Sequence, residues 1–101
     1  MALGRRAEEQ AVVRARAMIL NQLGLHARPA MSFVQLANEH SATIRVRRDG
    51  TDEWIDGKSI MQMLLLAATQ DTLLEISCDG DDDGQALADI LKLVSGGFDE
   101  E

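Results

Sequence analysis

The sequence holds no tyrosine, one tryptophan, two phenylalanines, one proline and one cysteine. With aromatics at 3% of the chain, the core has to be assembled from Leu, Ile, Val, Ala and Met. A single cysteine, Cys78, excludes an internal disulfide and fits a reducing compartment. No long apolar run exists. The longest, Met63 to Ala68, is far short of the ~20 residues that span a bilayer. The first ten residues carry Arg5 and Arg6 but no apolar stretch after them, unlike a secretory signal. Positive charge is also scarce, at 10 basic against 17 acidic residues for a net charge of -7. That argues against nucleic acid as the main partner. These features together describe a cytoplasmic protein without membrane insertion.

What is present is enough for one domain. The chain has 101 residues, of which 46% are hydrophobic. Residues 1–11 read as a flexible N-terminal extension, 12–96 as the domain, and 97–101 as an acidic tail. From Val12 to Ile19 apolar residues alternate with Arg14 and Arg16, the pattern of a half-buried strand. Ala30, Phe33, Val34 and Ala37 follow at helical spacing, with Pro29 in the first turn. Ala42, Ile44 and Val46 alternate with Thr43, Arg45 and Arg47 as a second strand. Asp49-Gly50 signals a hairpin, and Glu53–Ile55 a third strand. Ile60–Ala68 reads as a short helix that is apolar nearly all round. Leu73–Cys78 reads as a fourth strand, and Leu87, Ile90, Leu91 and Val94 as a last helix that stops at Gly96-Gly97. The order β-α-β-β-α-β-α predicts an α+β fold, with an antiparallel sheet covered on one face by helices.

Two segments carry chemistry. In Gly24-Leu25-His26-Ala27-Arg28-Pro29-Ala30, a histidine stands at a helix entrance, where unsatisfied N–H groups and the helix dipole favour an anion. A neutral imidazole nitrogen is a nucleophile, and Arg28 offers a fork for phosphate oxygens. The plainer reading is a histidine that caps a helix beside a solvated arginine. Because Arg28 precedes proline, it is not an easy helix member. The second segment is Gly57-Lys58-Ser59. A P-loop would need glycine at the position of Asp52 and a parallel βαβ unit, so a nucleotide site is rejected. Ser59 suits an N-cap for the helix that follows.

Gly24 to Ala30 resembles the active-site motif of HPr, the phosphocarrier of the bacterial phosphotransferase system. Gly57-Lys58-Ser59-Ile60-Met61 resembles that family's second motif, around its regulatory serine. The resemblance covers roughly Val12 to Val94 and implies an open-faced β-sandwich, a four-stranded antiparallel sheet of order 1-4-2-3 with three helices on one face. It implies a carrier rather than an enzyme, with no cofactor or metal. His26 would accept a phosphoryl group on Nδ1, with Arg28 as its charge partner. Enzyme I would be the donor and an Enzyme IIA protein the acceptor. Ser59 would be the target of HPr kinase/phosphorylase in those bacteria that have it. Ala27, Ile60, Met61 and Leu64 would form the docking patch of a monomer. The alternative is an HPr-like regulatory binding module without phosphotransfer. Leu23 and Gln62 depart from the sugar-transport members, which often have Asn and Gly there. Leu23 and the tail Gly96-Gly97-Phe98-Asp99-Glu100 look like the nitrogen-regulatory branch.

The remaining features read more plainly. Asp79-Gly-Asp81-Asp-Asp83-Gly84 begins like a calcium loop, but its twelfth position is Ile90 and a strand precedes it. A solvated turn that places acids at a helix start is preferred. Arg14, Arg16, Arg45 and Arg47 share the outward phase of their strands, where Glu75 would pair with them across strands. Anion binding by that face is the alternative. His40 reads as a solvated helix-end residue and Cys78 as packing.

Overall fold

The computed structural model of the chain describes residues 12–100. Strand β1 (Val12–Met18) leads to helix α1 (Ala27–Ala37), then strand β2 (Thr43–Arg48) and the short strand β3 (Ile55–Asp56). Helix α2 (Ile60–Leu65), strand β4 (Leu73–Asp79) and helix α3 (Asp83–Ser95) follow, and a 3-10 turn covers Gly97–Asp99. The four strands form one antiparallel sheet in the order β1-β4-β2-β3. The fold is α+β, an open-faced sandwich as expected.

Alternation decides which side of the sheet is covered. Ala17, Ile44, Val46, Leu74, Ile76 and Cys78 are buried. Against them pack Ala30, Phe33 and Ala37 from α1, Met63 from α2, and Ala86, Ile90 and Val94 from α3. Aliphatic side chains fill this core, with Phe33 its one fully buried aromatic, so most of its stability comes from apolar area removed from water. Burial pushes the Cys78 thiol up to about 11, and the charges of Asp83 and Asp82 push it the same way.

Three boundaries depart from the sequence reading, each for a local reason. Helix α1 begins at Ala27 and takes in Arg28. Pro29 falls third in the helix, where its missing N–H has no helical acceptor, and its ring is buried. Strand β3 holds only Ile55 and Asp56, because Trp54 leaves the ladder to lie over Arg47, 4.4 Å from the guanidinium carbon to the ring centroid. Helix α2 stops at Leu65 rather than Ala68, since Ala67 takes a φ of 52° that no right-handed helix can continue.

The acidic turn and His40 require a correction. Asp82 Oδ1 accepts from the Ala42 N–H at 2.9 Å and the Ser41 hydroxyl at 3.2 Å, and Oδ2 accepts from the Ser41 N–H at 3.1 Å. His40 is not solvated. Its side chain is 10% exposed, with Nδ1 at 2.9 Å from Asp82 and Nε2 at 3.0 Å from Asp89. Each ring nitrogen thus lies within hydrogen-bond distance of a carboxylate, which accounts for the ring's burial. Asp82 is thereby a clasp between the end of α1, the start of β2 and the start of α3. The 3-10 turn also does more than trail off, for Phe98 within it is buried in the core.

Candidate functional site

His26 stands at the N-cap of α1 in an extended conformation (φ -81°, ψ -171°). The first helical bond runs from the Ala30 N–H to the His26 carbonyl at 3.0 Å. The N–H groups of Ala27 and Arg28 therefore have no acceptor within the helix, and Pro29 has none to offer. Gly24 shapes the approach. Its φ is +70°, and a Cβ there would stand 2.6 Å from the Ala68 carbonyl oxygen. Next to it, the Leu25 N–H donates to that same oxygen at 2.8 Å, which fixes the loop against the end of the α2 segment.

The histidine side chain is 36% exposed, and both oxygens of Glu100 lie 3.2 Å from its Nε2. A carboxylate accepts and does not donate. In the neutral ring this contact holds the proton on Nε2 and leaves the lone pair on Nδ1. Glu100 is itself held. The buried Asn21 amide donates to Glu100 Oε1 at 3.0 Å and to the Gly24 carbonyl at 2.6 Å. Arg28 is exposed and makes no ion pair among the described residues. It shares a cleft of about 280 Å³ with Pro29, Ser32, Phe98, Asp99 and Glu100. An imidazole, two N–H groups without helical acceptors and an exposed guanidinium thus come from three consecutive residues at one helix entrance. That set can receive a tetrahedral anion and neutralise its charge.

Sequence reasoning missed Asn21 and Glu100. Glu100 lies 74 residues from His26, and nothing local marks it. The other site residues fall as follows. Ala27 is exposed beside His26. Ser59 is the N-cap of α2 and its hydroxyl accepts from the Gln62 N–H at 3.2 Å. Gln62 answers by accepting from the Asp56 N–H at 2.8 Å, which gives this departure from the family pattern a structural role. Ser59 and His26 are not brought together. Lys58 bonds to His40 and Asn38, beyond the far end of α1, so the eleven residues of α1, roughly 16 Å of helix, lie between them. On α2, Ile60 is half-buried against the core, whereas Met61 is 70% exposed and Leu64 40%. Leu23 (74%), Met31 (52%) and Leu65 (78%) add apolar surface that the sequence reading did not assign to a patch.

Comparison with known proteins agrees with this geometry. Residues 13–96 match the family described as "PTS HPr component phosphorylation site". The chain belongs to the HPr family. It is 40% identical over 82 residues to phosphocarrier protein HPr of Pseudomonas aeruginosa, covering 81% of this chain and 90% of that one. It is 37% identical over 87 residues to phosphocarrier protein NPr of Proteus mirabilis, covering 85% and 94%. A crystal structure of HPr from Thermoanaerobacter tengcongensis superposes with a TM-score of 0.82 at 36% identity, covering 88% of this chain and 98% of that one. HPr family membership makes this chain a phosphocarrier of the phosphotransferase system rather than a catalyst. No helix among the described residues is long and apolar enough to cross a membrane.

Proposed function

We propose that this phosphocarrier receives its phosphoryl group on Nδ1 of His26 from Enzyme I and passes it to an Enzyme IIA-type acceptor. The observation that carries the reading is the grip of Glu100 on Nε2, which aims a lone pair outward from a helix entrance. Attack by Nδ1 on phosphorus forms an N–P bond as the bond to the donor's leaving atom breaks. The N–H groups of Ala27 and Arg28 and the Arg28 guanidinium then meet the phosphoryl oxygens. Glu100 opposes a second anion beside the ring, so the phosphorylated form is disposed to give the group up rather than keep it.

Exposed Ala27, Met61 and Leu64, with the edge of Ile60, form the docking patch in this reading, and Met31 and Leu65 extend it. Ser59 is the regulatory serine. A phosphate there adds charge beside the patch, not at His26, so it acts on docking. The cellular branch is the finer question, since relatives carry both the HPr and the NPr name.

His26→Ala is expected to abolish labelling by phosphoenolpyruvate and Enzyme I while the far-ultraviolet dichroism stays unchanged. Full labelling of that folded variant overturns the assignment to His26, and absence of labelling in the unaltered protein leaves the chain as a regulatory binding module. Ser59→Asp is expected to weaken Enzyme I binding about tenfold by titration calorimetry; unchanged affinity counts against the patch.

A further inference from the structure

On the face of the sheet turned away from the helices, two rows of side chains run side by side across β1, β4 and β2. In one row Arg16 and Arg47 flank Glu75. Arg47 grips Glu75 Oε1 with Nε at 2.8 Å and Nη2 at 2.6 Å, and Arg16 reaches Asp49 at 2.8 Å. The sequence reading paired both arginines with Glu75; the hairpin turn instead brings Asp49 within reach of Arg16. In the next row Arg14 and Arg45 flank Ser77 in the same register. The rows share their arginines and differ in the middle. One has a carboxylate at its centre, the other a hydroxyl.

Neither Arg14 nor Arg45 has a carboxylate within ion-pair distance among the described residues. Strands lie ~4.8 Å apart, so two arginines separated by one strand stand about 10 Å apart at the backbone. The two arginines flank the strand between them, with the neutral Ser77 opposite both. They share with Val12, Thr43, Ser77 and Asp79 a cleft of about 90 Å³. The Trp54 ring centroid stands 5.5 Å from the Arg14 guanidinium carbon, outside the lining of the cleft. At ~30 Å³ per water the cleft holds roughly three waters, the scale of one tetrahedral oxyanion.

We propose that this cleft binds a protonated phosphate group, which takes in the second row the place that Glu75 takes in the first. The two guanidinium forks receive its oxygens, and the hydroxyls of Ser77 and Thr43 donate to them. Asp79 sets the specificity. A carboxylate on the rim repels an anion with no proton, but accepts from the P–OH of phosphate or of a phosphomonoester monoanion. Sulfate carries no such proton at neutral pH and is disfavoured.

The test is a nitrogen-15 magnetic resonance titration of the full chain at constant ionic strength. It uses the His26→Ala, Arg28→Gln variant, so that anions at the helix entrance do not contribute and the outcome is independent of the carrier reading. Inorganic phosphate is expected to shift Ser77, Thr43 and the Arg14 and Arg45 Nε signals with a millimolar dissociation constant, and sulfate to bind about tenfold more weakly. Adding Arg14→Gln or Arg45→Gln weakens phosphate binding about tenfold each, and Asp79→Asn brings sulfate level with phosphate. Phosphoserine, titrated at about pH 5 where its monoester group is mostly the P–OH monoanion, distinguishes the source of the group: binding like that of phosphate at the same pH assigns the site to a phosphomonoester terminus, and exclusion assigns it to the free ion. The proposal is overturned by absence of saturable shifts at these residues, by equal responses to sulfate and phosphate before Asp79 is changed, or by shifts that survive loss of both arginines.

Discussion

At the scale of single residues, the pair His26 and Glu100 separates position from chemistry. The helix entrance gives His26 its place, but Glu100 decides which ring nitrogen carries the proton. Glu100→Gln replaces an obligate acceptor by an amide that can present either a donor or an acceptor, so the tautomer is no longer held. The expected outcome is phosphorylation by Enzyme I slowed about tenfold with little change in Enzyme I affinity, read by rapid-quench labelling and calorimetry. An unchanged rate would show the contact to be incidental. Ser59 was readable in advance, because a serine just before an apolar run has one common local use, and its hydroxyl is found in that use. Glu100 and His40 were not readable. An acid near the end of the chain and a histidine past a helix have the same local signature whether they meet solvent or a partner, and their partners lie 74, 42 and 49 residues away.

Among elements, the alternation of the strands and the three-four spacing of the helices expressed the fold because each pattern reports one buried face. What escaped were the ends. Trp54 obeys a cation on its neighbour rather than the ladder, and Ala67 turns the chain where composition alone would continue the helix. The loop before α1 depends on a closer constraint. Gly24 has a positive φ and lies against the Ala68 carbonyl and Thr69. Gly24→Ala meets both the strain of the left-handed region and the clash, and is expected to cost roughly 1–3 kcal/mol in urea denaturation. Since this loop delivers His26, the variant should also be labelled more slowly. Native stability with an alanine at this position would contradict the close approach.

For the whole molecule, the clasp at Asp82 joins segments that are distant in the chain. Burial pushes its carboxyl up, but bonds from His40, the Ala42 and Ser41 N–H groups and the Ser41 hydroxyl outweigh that and hold it at about 2, against an ordinary 3.8. A carboxyl depressed on folding contributes stability that is present above its ordinary value and is lost as pH falls through the folded value. The protein is therefore expected to lose stability from about pH 4 down towards pH 2. Asp82→Asn should lower the urea midpoint at pH 7, and the gap to the parent protein should close across that acid window. A gap that is the same at pH 7 and pH 2.5 would place the clasp's value elsewhere. The acidic turn thus has a use that its resemblance to a calcium loop concealed.

Cys78 is the chain's one thiol, and it lies fully buried with its ionisation pushed up to about 11. At neutral pH it offers almost no thiolate to an alkylating reagent. A cysteine introduced at an exposed position such as Thr43 or Gln35 can therefore be conjugated alone, without first deleting the native one. The two faces of the sandwich become separately addressable. A dye at Thr43 would watch the arginine side of the sheet while a tether at Gln35 left that side open, in a chain whose interior needed no redesign.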